Sequence, residues 1–209
     1  MKYKEFLTRS YPAGGDARAP GQRSEVKYTK LPTQSEAEFP TQIKMFKVGI
    51  IGPESTGKSS LGQYLAKRYG ATYVPEYARD YVASLHRPYT YDDVCHIARK
   101  QIEQIKEVGS GKWEASDIIF FDTELIVTRV WFDYVYGTAP DWLLSAMKQY
   151  KMDTYLLTYP DIPWIPDPTR ENGSDEMRLQ LFHRYEQEIQ ALDVPYYIIR
   201  HTDDLEFSE

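Results

Sequence analysis

The sequence has almost no cysteine: Cys95 stands alone among 209 residues. No internal disulfide can form, and such a composition fits a reducing compartment. Apolar runs near the ~20 residues a bilayer span requires are missing, which excludes a membrane-spanning helix. Met1–Ser10 lacks the apolar stretch of a secretory signal. Positive charge is not in excess either, with 25 Lys and Arg against 31 Asp and Glu, a net charge of −6. An acidic chain without a dominant basic stretch is a poor partner for nucleic acid. The four histidines, His86, His96, His183 and His201, show no metal-ligand spacing with Cys95, which argues against a structural zinc. Together these absences predict a cytoplasmic protein with small-molecule ligands and no membrane or nucleic-acid partner.

What is present divides near residue 44. Residues 1–44 carry Pro12, Pro20, Pro32 and Pro40 with sparse, aperiodic apolar residues. Such a segment buries too little surface to offset its ordering entropy, and is expected to be a flexible or loosely docked tail. Residues 45–209 alternate between short apolar runs and helical patterns. Strands are expected at 46–51, 71–74, 117–121, 153–157 and 196–199. Helices are expected from 58 to Gly70 and over 77–85, 91–108, 123–135, 140–150 and 175–192. Continuous apolar strands separated by helices predict a three-layer α/β/α fold around a mainly parallel five-stranded sheet.

Gly52-Pro53-Glu54-Ser55-Thr56-Gly57-Lys58-Ser59 fits the pattern G-x-x-x-x-G-K-[ST]. The glycines let successive amide N–H groups turn inward, where they join the positive end of the next helix as an anion cradle. Lys58 is placed to reach the β- and γ-phosphates, and Ser59 offers a hydroxyl to Mg²⁺. Gly52, Glu54, Ser55, Thr56, Gly57, Lys58, Ser59 and Ser60 are therefore the predicted nucleotide site, with Mg-ATP as the cofactor. An apolar strand before it and an amphipathic helix after it give the motif its required context.

Asp122 ends the run Ile118-Ile119-Phe120-Phe121 and belongs in the same crevice as the phosphates. It is a candidate Mg²⁺ ligand and catalytic group, or else the cap of the following helix; Glu124 is its acidic neighbour. After the second strand comes Pro75-Glu76-Tyr77-Ala78-Arg79-Asp80. Phosphoryl transfer needs a group to take the proton of the acceptor hydroxyl, and Glu76 is the first candidate, Asp80 the second. Arg79 is suited to hold the acceptor, unless Glu76 and Arg79 form only a surface ion pair. The loop Asp161–Gly173 is long and patterned, as in an active-site lid. Arg170 and Arg178 are its candidate charge-neutralising residues, with Arg178 alternatively a helix-surface charge. Trp164 reads equally as a stacking platform or a core plug.

Gly52–Ser59, PEYAR at Pro75–Arg79, FFDTE at Phe120–Glu124 and DIPW at Asp161–Trp164, in that order, resemble the ribosylnicotinamide kinase domain of NadR-type proteins, within the AAA-like P-loop ATPase group. The resemblance spans about Phe46 to Arg200. It implies an ATP-dependent kinase that phosphorylates the 5′-hydroxyl of nicotinamide riboside to nicotinamide mononucleotide. It also implies a nucleoside-kinase-like fold with the Asp122 strand beside the first strand. By position, Lys58 and Ser59 would serve ATP and magnesium, while Glu76, Arg79 and Asp122 would line the acceptor side. The family tends to carry tryptophan directly before the Glu-Tyr pair, where this chain has Pro75. Proline has no π face for a cationic ring, so Tyr77, Trp164 or another tyrosine is expected to replace it. Two other readings stay open: a kinase for a different nucleoside or nucleotide, and a regulatory ATPase with no acceptor.

Overall fold

A computed structural model describes residues 45–108, 117–164 and 174–201. The expected tail 1–44, Arg170 and most of the Asp161–Gly173 loop lie outside the described residues.

Five strands form one sheet: β1 (Phe46–Ile51), β2 (Thr72–Val74), β3 (Ile118–Asp122), β4 (Thr154–Thr158) and β5 (Tyr196–Ile199). Their order is β2-β3-β1-β4-β5. Every pairing is parallel. Of the three central strands, β3 and β4 are buried at every residue and β1 at its last four. A strand covered by helices on both faces has no solvent side, so alternation gives way to a continuous run. The edge strands β2 and β5 are only partly buried, and accordingly they mix tyrosine and threonine with their aliphatics.

Among the described residues six helices flank the sheet: α1 (Lys58–Tyr69), α2 (Tyr77–Ser84), α3 (Tyr91–Glu107), α4 (Leu125–Tyr136), α5 (Asp141–Gln149) and α6 (Asp175–Ala191). α3 begins with a full capping box, in which the Thr90 hydroxyl and the Asp93 carboxylate exchange hydrogen bonds with each other's backbone. The Ser174 hydroxyl accepts from the Met177 amide and starts α6 in the same way. One apolar cluster runs from Val94 and Ala98 through Phe121, Leu125 and Phe132 to Leu157, Phe182 and Ile189. Each such large side chain contributes roughly 1.5–3 kcal/mol by leaving water. Cys95 belongs to this cluster, and burial raises its thiol pKa, so it is an inert packing residue.

Most boundaries shift by a residue from those expected, and two of the shifts concern the site. β3 extends one residue further than expected, so Asp122 is its last residue. The following helix starts at Leu125 instead of Thr123. Thr123 itself adopts φ 68°, a left-handed conformation that the helical pattern does not foretell.

Candidate active site

The register Ile50↔Asp122 brings the carboxyl ends of β1 and β3 together, and the phosphate-binding loop springs from the first of them. Gly52 has φ 152°, and a Cβ on it would come within 2.7 Å of the Thr158 carbonyl oxygen. No other residue permits the chain to leave β1 so close to β4. Gly57 has φ 74° and occupies the N-cap of α1. Together they aim the loop at the helix N-terminus, where free amides and the helix dipole favour an anion.

Hydroxyls and one guanidinium hold the loop from behind. Thr56 donates to the Pro53 carbonyl at 2.8 Å and meets the Thr158 hydroxyl at 2.6 Å. Arg178 is completely buried. Its Nε donates to the Glu54 carbonyl at 3.2 Å, and its Nη2 donates to the carbonyls of Ser55 at 3.1 Å and Ile162 at 2.7 Å. Arg178 is thus not a helix-surface charge. It is a strut that occupies the loop's outward carbonyls, and by doing so it keeps the amides of the same peptides turned the other way.

Lys58 donates to the Pro53 carbonyl at 2.9 Å. Burial lowers its pKa, opposed by the negative charges of Glu76 and Asp122. Glu76 stands at the N-cap of α2, and burial raises its pKa against the pull of Lys58. Arg79 Nε lies 3.3 Å from Glu76 Oε2. The pair is an ionic contact, and among the described residues Oε2 is buried without a geometrically formed hydrogen bond. Glu76 and Arg79 do pair, but they do so while lining the cleft and not on an outer surface.

Asp122 is buried, and the Tyr73 hydroxyl donates to its Oδ2 at 2.8 Å. Its other oxygen, Oδ1, is buried with no hydrogen-bond partner among the described residues. The capping role falls to Glu124, whose Oε1 accepts from the Ile126 amide at 2.9 Å. Burial pushes the Glu124 carboxyl up to about 7.

A cleft of about 180 Å³ opens beside these groups, lined by Gly52, Glu54, Lys58, Glu76, Arg79 and Thr123, and by apolar and aromatic side chains of α4 and α6. The phosphate loop, Glu76 and Arg79 are therefore gathered around one space. Other predicted residues fall elsewhere. The Tyr77 hydroxyl is 2.9 Å from His96 Nε2, its ring stacks on Tyr81, and it does not line the cleft. Asp80 is exposed on α2. Trp164 is half-buried outside the lining, with its Nε1 buried and unpartnered. Thr123 and Tyr73 were not singled out in the sequence. The signal for Thr123 was its place directly after a strand-ending aspartate; Tyr73 left none.

The chain is similar to several known proteins. A family model described as an AAA domain matches residues 47–206. The trifunctional NAD biosynthesis/regulator protein NadR of Escherichia coli is 31% identical, and that of Salmonella typhimurium 29%, over 143 residues. The match covers 65% of this chain and 34% of each of those proteins, so the chain spans about a third of their length. A NadR protein solved in complex with NR superimposes with a TM-score of 0.59 at 23% identity, covering 80% of this chain and 48% of that one. One solved with NAD and AMP-PNP gives 0.57 at 22% identity over 75% and 45%. Thymidylate kinase from Ehrlichia chaffeensis gives 0.52 at 11% identity over 79% and 91%. The fold is the three-layer α/β/α P-loop fold that these proteins have in common.

Proposed function

The chain belongs to the AAA_28 family of AAA domains, and from this premise we propose that it is an ATP-dependent kinase that phosphorylates nicotinamide riboside on its 5′-hydroxyl. The observation that carries this reading is the Glu76 carboxylate, which lines one cleft with the Lys58 ammonium. A carboxylate in that place is suited to take the proton of an acceptor hydroxyl, and the acceptor panel below separates this from activation of water. The likeness to the NadR proteins supports the choice of acceptor.

In the proposed reaction the polyphosphate lies on the amides of Gly52–Ser59, with Lys58 swung from the Pro53 carbonyl to the β- and γ-phosphates. The acceptor 5′-hydroxyl stands near Glu76. Its oxygen bonds to the γ-phosphorus as the bridge from that phosphorus to the β-phosphate oxygen breaks, and its proton passes to the Glu76 carboxylate. The products are nicotinamide mononucleotide and ADP. A base whose pKa is lifted towards the working pH is well matched to this transfer. Arg79 orients Glu76 and offsets charge on the transferring group.

Magnesium fits the residues present. Asp122 Oδ1 is a buried carboxylate oxygen that lacks a partner. Among the described residues no group of three or more His, Cys, Asp or Glu gathers to hold a metal, which suits an ion that keeps most of its waters and takes few protein ligands. Ser59 and Asp122 would hold it, and when bound it supplies charge neutralisation at the phosphate oxygens. Among the described residues no helix is long and apolar enough to cross a membrane, and we place the reaction in the cytoplasm.

The test is ADP release from Mg-ATP across a panel of nucleosides. Release that depends on nicotinamide riboside is the expected outcome. Release stimulated only by another nucleoside would reassign the acceptor, and slow release indifferent to every nucleoside would overturn the kinase reading in favour of a regulatory ATPase.

A further inference from the structure

The proposed phosphoryl transfer leaves one wall of the cleft unused. Tyr89, Val127, Trp131 and Tyr134 all line it. Val127, Trp131 and Tyr134 recur at i, i+4 and i+7 and so share one face of α4. Trp131 lies about 9 Å along α4 from Leu125, six residues at ~1.5 Å each. Leu125 follows Thr123 and Glu124, and Thr123 lines the same cleft as Trp131, Glu76 and Lys58. Tyr89 meets Trp131 edge to face, with centroids 4.8 Å apart and planes at 78°. That contact fixes the plane of the indole. Tyr134 beyond it is 53% exposed, so the wall opens to solvent there. Of the described tryptophans, only Trp131 lines the cleft, and Pro75 is exposed with no ring to offer.

We propose that Trp131, braced by Tyr89, selects the acceptor by stacking on the planar heteroaromatic ring of a nucleoside. The ring lies on the indole while the sugar hydroxyl reaches Glu76. This rests on the kinase reading for what the nucleoside does there, but not for whether it binds. The stack reads flatness and π character, so it discriminates ringed nucleosides from ringless sugars. Trp131 replaces, from another element 56 positions further along the chain, the aromatic that position 75 lacks.

The experiment is calorimetric titration of the full chain, loaded with a non-hydrolysable ATP analogue, with nicotinamide riboside, with a purine nucleoside and with methyl riboside, which keeps the sugar and lacks the ring. Trp131→Leu is expected to weaken binding of both ringed nucleosides about tenfold or more. It should move methyl riboside and the ATP analogue less than twofold. Trp131→Phe keeps a stacking face and should stay within about threefold of wild type, and Tyr89→Leu should fall between. Melting temperatures near wild type show that the variants are folded. Ringed nucleosides that bind Trp131→Leu as tightly as wild type would overturn the proposal, as would a loss shared equally by methyl riboside. Trp131-dependent binding without any nucleoside-stimulated ADP release would leave the stacking proposal standing and sink the kinase reading.

Discussion

Two titrating groups set the window in which the chemistry can run. Glu76 must be ionised to take a proton, and burial lifts its pKa above the ordinary carboxylate range. Lys58 must stay charged to grip phosphate, and burial lowers its pKa below the ordinary lysine range. kcat/KM, which reports the ligand-free enzyme, should therefore rise as pH climbs through the elevated Glu76 value and fall as Lys58 loses its proton, giving a bell narrower than free side chains would give. Glu76→Gln should lower kcat by about 10² or more, leave ATP affinity within twofold, and abolish the acid limb of the profile; equal losses in turnover and ATP affinity would reject the base role. Tyr73 sets up a second test. Its hydroxyl occupies Asp122 Oδ2 and leaves Oδ1 for the metal. Tyr73→Phe should raise the magnesium concentration for half-maximal nucleotide binding about tenfold, measured by calorimetry. Lys58, Glu76 and Asp122 were legible in the sequence because each sits in a short motif whose spacing is local. Tyr73 was not, because its partner is 49 residues away and strand alternation reports a face, never a partner.

Helix ends and loop struts govern how firmly these residues are set. Glu124 caps α4, and burial raises its pKa from 4.5 to about 7. Below pH 4.5 it is protonated in folded and unfolded chains alike, and its contribution to stability is complete. As pH rises from 4.5 to about 7 the unfolded chain loses this proton while the folded protein keeps it, and above 7 both are ionised. Stability should thus fall by an amount on the order of 3 kcal/mol. Glu124→Gln retains the acceptor for the Ile126 amide and should flatten this decline, checked by denaturant midpoints at pH 5 and pH 8. Arg178→Ala would strip donors from the carbonyls of Glu54, Ser55 and Ile162, at a cost of about 3 kcal/mol or more, read from a denaturation curve. Lys in its place should recover only part, since an ammonium cannot span the fork. The helices were readable from their period and the central strands from their unbroken apolar runs. The burial of Arg178 was not, because a charge in the first turn of an amphipathic helix looks the same whether it meets water or a carbonyl 124 residues away.

For the whole molecule, the sheet order was foreseeable in one respect, the pairing of the Asp122 strand with β1, and that pairing is what joins phosphate loop and acid. The aromatic wall was not foreseeable, since Tyr89 and Trp131 meet only when α4 packs beside the segment before α3. A ligand that binds the folded state alone stabilises it by mass action. Mg-ATP at about 100 times its Kd adds ~2.7 kcal/mol, and for a chain of this size that raises Tm by roughly 5–10 °C. Lys58→Ala should remove the shift while leaving the ligand-free Tm within a few degrees of wild type, as a thermal scan would show. The fixing of the loop by Arg178 has a further consequence during synthesis. Residues 52–59 leave the ribosome long before residue 178, and β4 with Thr158 also follows late. A nascent chain carries the whole motif yet lacks both its latch and its brace. Nucleotide capture must then wait for α6, so any product cut short before it would display the signature without the grip.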